Sequence, residues 1–181
     1  MQISTVLGNG MVLQREVQNP VWGYTRPGEK VQLIIGEHHL ETQSDKDGYF
    51  EILLPSMKAG GPWEIGLWDT TDRYVFQDVL FGDVFLLGGQ SNMELPLSWI
   101  WDQVKEELAE IRNEQIRMFD LPKEYDFLKK RELLTQGKWV SACGKDLLAF
   151  SAVGYYAAAE IHKKREYPDR AFAGCGRRNT G

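Results

Sequence analysis

The sequence predicts a chain that is all-β at first and α/β afterwards. An antiparallel β-sandwich is expected over residues 1–80, the beginning of an α/β layer structure over 81–166, and an atypical tail over 167–181. Turn signals interrupt the first eighty residues at short intervals, a nearly continuous apolar run follows at 79–87, and helical periodicity appears only beyond that run. At 181 residues with 43% hydrophobic and 12% aromatic side chains, the chain is long enough for one ordinary domain or two small ones with real cores.

In the first part the turn signals are Gly8-Asn9-Gly10, Asn19-Pro20, Arg26-Pro27-Gly28, Asp47-Gly48 and Gly60-Gly61-Pro62. Between them VQLIIG at 31–36, YFEILLP at 49–55 and WEIGLWD at 63–69 alternate or cluster strand-forming residues. Asp47-Gly48, lying between two such runs, suggests a hairpin turn that needs positive φ. The run VLFGDVFLL at 79–87 is broken only by Gly82-Asp83 and suits a strand buried on both faces, as in a parallel sheet. Over 99–113, Trp101, Val104, Leu108 and Ile111 recur at helical spacing, which predicts an amphipathic helix. IRMFDL at 116–121 reads as a second strand, and residues 148–164 as a second helix ending in lysines that complement its dipole.

A net charge of −5 and a pI near 5.3 leave no basic stripe for nucleic acid or for an anionic membrane surface. The two cysteines, Cys143 and Cys175, form no CxxC pair, and no histidine stands at ligand spacing, so free thiols and no metal site are expected. The N-terminus lacks a charged stretch followed by a long apolar run, and no window reaches the ~18 apolar residues of a membrane span. As written the chain reads as cytoplasmic, whereas a parent enzyme carrying a leader that this sequence lacks would be exported.

The chemistry concentrates in Gly88-Gly89-Gln90-Ser91-Asn92-Met93, directly after the apolar run. A nucleophilic serine needs exposure at a sharp turn, N–H donors for the oxyanion and a histidine base from elsewhere. Gly88 and Gly89 permit the turn, Ser91 supplies the hydroxyl, and Asn92 donates an amide or fixes the loop. The alternative is a serine that merely caps the next helix.

GDVFLLGGQSNMELPL at 82–97 resembles the signature GDVWxxxGQSNM of sialate O-acetylesterases and their SGNH-hydrolase relatives. MVLQRE at 11–16, VWGYTRPGEKV at 21–31, DGYFEILLP at 47–55 and FSAVGYY at 150–156 look like the same family, in the same order. The resemblance implies an SGNH-like, flavodoxin-like three-layer α/β domain after the sandwich, with Ser91 as nucleophile and its backbone N–H as part of the oxyanion hole. Gly89, Gln90, Asn92 and Met93 of the same motif become oxyanion or substrate-binding positions. The implied substrate is a small acetylated sugar, sialic acid or a relative, and no cofactor is called for.

In that family a Gly-Gly-Thr or similar loop follows the FSAVGYY helix, and an Asp-x-x-His base lies much farther on. Neither appears here. His38 and His39 fall in a sandwich strand and His162 late on a helix, where structural roles are the simpler account. The tail YPDRAFAGCGRRNTG at 167–181 shows no apolar strand where the family has one reading roughly PIGLLQAAVGGTP. Suitable codons for 168–181, read one base later, translate as that segment. The first base of every shifted codon is dictated by the residues present, and all of them agree. The expectation is a family member truncated by a frameshift, weakly active or inactive, with Cys175 an accident of translation; a divergent natural tail or a cloning scar is the alternative. A sheet cut short in this way exposes edges through which the chain would form homo-oligomers.

Asp83 either orients the active-site loop or is a buried carboxylate bonded to backbone. Trp99 and Trp101 either stack on a sugar ring or belong to the core, Trp101 more simply the latter. Glu106, Glu107 and Glu110 read as a solvated helix face. A non-catalytic carbohydrate-binding β-sandwich with a strand-loop-helix appendage is the competing function.

Overall fold

The computed structural model describes residues 1–122, 132–164 and 171–178. Eight strands come first: β1 (Gln2–Ile3), β2 (Val12–Gln14), β3 (Asn19–Tyr24), β4 (Lys30–Ile35), β5 (His38–Gln43), β6 (Tyr49–Leu54), β7 (Gly60–Trp68) and β8 (Arg73–Leu86). Alternation decides which faces are buried. Val31, Leu33 and Ile35 of β4 point inward, as do Phe50, Ile52 and Leu54 of β6, while Glu51 and Leu53 stay exposed. Strands β1, β3 and β6 form one antiparallel sheet, and β4, β5, β7 and β8 lie in another. Val21, Phe50 and Ile52 of the first sheet and Leu33, Ile65 and Phe76 of the second share one core.

Gly48 takes the positive φ expected of it, 82°. Its turn nevertheless closes no hairpin. Strand β5 pairs with β4 across the two-residue turn at Gly36-Glu37, and β6 pairs with β3, so the chain crosses from one sheet to the other at Asp47-Gly48. The Asp45 carboxylate accepts the N–H groups of Asp47 and Tyr49 and stiffens that crossing.

Beyond β8 come a single helical turn, α1 (Ser91–Glu94), a 3-10 turn at Leu97–Ile100, and α2 (Trp101–Leu108). Strands β9 (Arg112–Pro122) and β10 (Lys138–Cys143) follow, then a 3-10 segment at Gly144–Ala149, α3 (Ala152–Lys164) and β11 (Ala171–Arg178). Helix α2 ends before the predicted 113 because Arg112 and Asn113 pair with Cys143 and Ala142 of β10, so that strand pairing claims the last predicted turn. Helix α3 begins later than the predicted 148. Ser151 is its cap, with the Gly154 N–H donating to Ser151 Oγ at 3.1 Å. Leu108 of α2, Ile116 and Met118 of β9, Val140 of β10, Phe150 and Tyr155 form a second core.

The tail departs from expectation. Residues 171–178 form a parallel strand between β8 and β9, with Phe172 in register with Asp83 on one side and Ile116 on the other. Two strands running side by side with unpaired facing edges leave N–H and C=O groups unsatisfied, and a third backbone inserted between them meets that demand whatever its side chains.

Strand β8 belongs to both parts of the molecule. It pairs antiparallel with β7 from Arg73 to Phe81, and parallel with β11 from Gly82 to Leu86. Its end is not buried on both faces as predicted: Phe85 is 42% and Leu86 83% exposed. The second core gathers over β9 and β10, which leaves the end of β8 outside it.

Candidate active site

Strand β8 ends at Leu86, and Gly88, Gly89 and Gln90 carry the chain round to α1, where Ser91 is the first helical residue. Gln90 occupies the cap position with extended backbone and makes no side-chain cap bond. Ser91 therefore is not the cap of this turn, and its hydroxyl is exposed. Gly89, Gln90 and Asn92 are exposed beside it and Met93 is half-buried. Neither Gly88 nor Gly89 adopts left-handed φ, so the turn they permit needs no backbone conformation reserved for glycine. Gly89 lies close against Met93, and a Cβ there would sit 3.0 Å from Met93 Cβ, a tight contact that Met93 would have to yield to. The turn is closed by the N–H groups of Met93 and Glu94 donating to the Gln90 carbonyl at 2.9 and 3.2 Å.

Two residues missed as functional in the sequence hold this loop from below. Ser151 Oγ donates to the Met93 carbonyl at 2.5 Å, and Gly154 packs so closely on Leu87 that a Cβ would approach Leu87 Cδ1 to 2.4 Å. Backbone bonds from Ala152 N–H to Leu95 O at 2.8 Å and from Leu97 N–H to Phe150 O at 2.9 Å extend the contact. A serine just ahead of a helix is a capping signal, but the helix predicted from 148 took Ser151 inside it and hid that sign.

Asp83 is buried and pairs with a side chain: Arg15 Nε donates to its Oδ1 at 2.9 Å. The Arg15 N–H donates to Gly82 O, and Gln14 Oε1 accepts the Val84 N–H, both at 2.9 Å. Segment 12–15 is thus locked to β8 just upstream of the serine loop.

The structure does not bring a histidine to Ser91. His38 pairs with Ile35, which pairs with Ile65, itself opposite Phe76. That level lies roughly 30 Å along β8 from Leu86 at the usual rise per residue. His162 lies roughly 15 Å along α3 from Ser151. Burial first, then the field of Tyr156 and Glu107, raises the Tyr155 hydroxyl above its ordinary 10, so it stays protonated and is no base. Trp99 is 73% exposed, whereas Trp101 packs on the second core. Glu106, Glu107 and Glu110 are exposed as expected, with Glu107 accepting from Tyr156. Cys143 is a free thiol. Among the described residues no group of three or more His, Cys, Asp or Glu could hold a metal ion, and no helix is long and apolar enough to cross a membrane. A polar cleft of about 280 Å³ between Asp78, Glu114, Arg117 and Trp139 opens at the seam of the two cores, away from Ser91.

No protein-family model matches the chain. Among solved structures, a carbohydrate acetylesterase from Xanthomonas citri superposes with a TM-score of 0.89 at 30% identity, covering 98% of this chain and 40% of that one. The fold therefore matches that of part of a carbohydrate acetylesterase. Mouse sialate O-acetylesterase is 30% identical over 131 residues, 66% of this chain and 24% of that protein. The human sialate O-acetylesterase is 33% identical over 117 residues, 58% of this chain and 22% of its own length. These similarities support membership of the sialate O-acetylesterase family, and the chain spans about a quarter of the length of the mouse and human relatives, both named as esterases.

Proposed function

We propose that the chain carries the nucleophile of a carbohydrate O-acetylesterase acting on sialic acid or a related acetylated sugar. The observation that carries this reading is the exposed Ser91 hydroxyl, first in its helical turn and not used as its cap, at the end of the strand that joins the two cores. In this mechanism Ser91 Oγ attacks the acetyl carbonyl carbon and its proton passes to a base. The carbonyl oxygen becomes an oxyanion that takes hydrogen bonds from N–H groups of the Gly89–Met93 segment. Collapse breaks the bond to the sugar oxygen, which leaves with the base's proton, and water then hydrolyses acetyl-Ser91 to acetate. No cofactor enters these steps. Trp99, exposed on the turn that follows α1, offers a face for the sugar ring.

The same reading assigns residues 1–80 to a β-sandwich and 81–166 to an SGNH-like three-layer domain, with 167–181 an out-of-frame tail. It also predicts little turnover, since His38, His39 and His162 all lie far from Ser91 and loss of a triad base costs about six powers of ten. That remoteness favours a second reading, a carbohydrate-binding module that does no chemistry.

Hydrolysis of a chromogenic acetyl ester, run beside covalent labelling with a fluorophosphonate, separates the two readings. Slow labelling that maps to Ser91 and vanishes in Ser91→Ala supports the nucleophile. Sugar binding that survives Ser91→Ala, with no labelling in either protein, supports the binding module.

A further inference from the structure

We infer that Ser151 and Gly154 are positioning residues that clamp both ends of the loop carrying Ser91, an inference that rests on Ser91 as nucleophile. Ser151 Oγ does two things at once. It accepts the Gly154 N–H at 3.1 Å, capping α3, and it donates to the Met93 carbonyl at 2.5 Å. With the helix N–H directed at its lone pair, the hydroxyl proton is left to point at Met93. One buried hydroxyl, 6% exposed, therefore ties the start of a thirteen-residue helix to the far side of the serine turn.

Gly154 acts on the near side. The absent side chain lets the first turn of α3 settle on Leu87, immediately before Gly88 and Gly89. Leu87, Ser151 and Gly154 also border a small enclosed gap with Phe150 and Tyr155, both buried in the second core. The serine loop is otherwise weakly held. It is exposed from Gly88 to Asn92, and its helical turn is too short to be stable alone. The direction of Ser91 is thus set by what lies beneath it, and that seat is anchored in a core built from β9, β10 and α3.

Substitution at Ser151 separates capping from clamping. An aspartate keeps the acceptor for Gly154 and suits a helix N-terminus, but when ionised has no proton for the Met93 carbonyl. A threonine keeps both bonds. In the 181-residue chain, Ser151→Asp should melt close to the unsubstituted protein yet show amide exchange of Met93 and Glu94 faster by about tenfold, the equivalent of one lost hydrogen bond. Fluorophosphonate labelling of Ser91 should slow by a similar factor. Ser151→Thr should restore both. Gly154→Ala should speed exchange around residues 87–90 while leaving Ser151 able to cap.

Exchange over 87–97 that is the same in Ser151→Asp, Ser151→Ala and the unsubstituted chain overturns the clamp, as does failure of threonine to restore it. Absence of labelling in the unsubstituted chain counts against the nucleophile, and the exchange rates then decide the clamp independently.

Discussion

Arg117 joins the two cores with a single guanidinium. Its Nε donates to Glu114 O at 2.8 Å, its Nη1 to Gly10 O at 2.9 Å and to Asp78 O at 2.6 Å, and its Nη2 pairs with the Asp78 carboxylate at 2.9 Å. The side chain is almost fully buried while the Asp78 carboxylate is largely exposed, so the carbonyl bonds matter more than the ion pair. Arg117→Met should cost about 2–4 kcal/mol, because three carbonyls lose a donor, and urea denaturation should show a lower midpoint with an unchanged slope. Arg117→Lys should recover part of the loss, since an ammonium has three donors but no planar fork. The sequence placed Arg117 in a strand and said nothing of this role, because its partners lie up to 107 positions away. Ser91 was legible for the opposite reason: its neighbours in sequence are its neighbours in space. Ser151 was not, since its bond to Met93 spans 58 positions.

The turn between β7 and β8 shows how one carboxylate can set the acid stability of an element. Asp69 Oδ1 accepts the N–H groups of Thr71 and Asp72 at 2.8 and 2.7 Å, and Oδ2 accepts the Thr25 hydroxyl at 2.5 Å. Burial by itself would raise this carboxyl, but the hydrogen bonds from Thr25, Asp72 and Thr71 outweigh it and bring the pKa from 3.8 to about 2. A folded pKa below the unfolded one means that the stabilisation is complete above about pH 4 and is lost as pH falls through about 2. The melting-temperature gap between the chain and Asp69→Asn should therefore shrink steadily from pH 4 to pH 2. A gap independent of pH would mean that the carboxylate is not what the turn uses. Element boundaries obeyed the same contest between local and distant demands. The periodicity of α2 was correct for Trp101, Val104 and Leu108, yet its last predicted turn was surrendered to β10. Strands β1, β2, β3 and β10 were not foreseen; the first two are only two and three residues long, and β3 opens on Asn19-Pro20, which had been read as a turn.

Taken whole, the molecule is two cores joined along β8 and stitched by Arg117, by Trp139 Nε1 donating to Val6 O at 2.8 Å, and by Thr5 N–H donating to Leu134 O at 2.9 Å. Its apolar surface is unevenly covered. Phe85 and Leu86 at the end of β8 and Val153 on α3 are exposed together with Trp99, all in the segments that flank the serine loop. Exposed strand ends of this kind recruit further backbone and apolar partners. Sedimentation velocity should show concentration-dependent association of the chain, reduced in the double variant Phe85→Glu with Leu86→Lys. A monomer at all concentrations would show that this surface is tolerated bare.

Local pattern was enough to confine helices to the chain beyond residue 87, to place Ser91 after a strand, to find β4 and β6, and to name the apolar face of α2, because these depend on side-chain periods of two and 3.6 that need no partner. The crossing at Asp47-Gly48, the exposure of Leu86, the pairing of Arg15 with Asp83 and the seat under Ser91 came only with the folded chain. Strand β11 is the clearest case. Its sequence carries no apolar run, and it became a strand because two neighbouring backbones had hydrogen bonds to fill, a demand that belongs to β8 and β9 and is not written in residues 171–178.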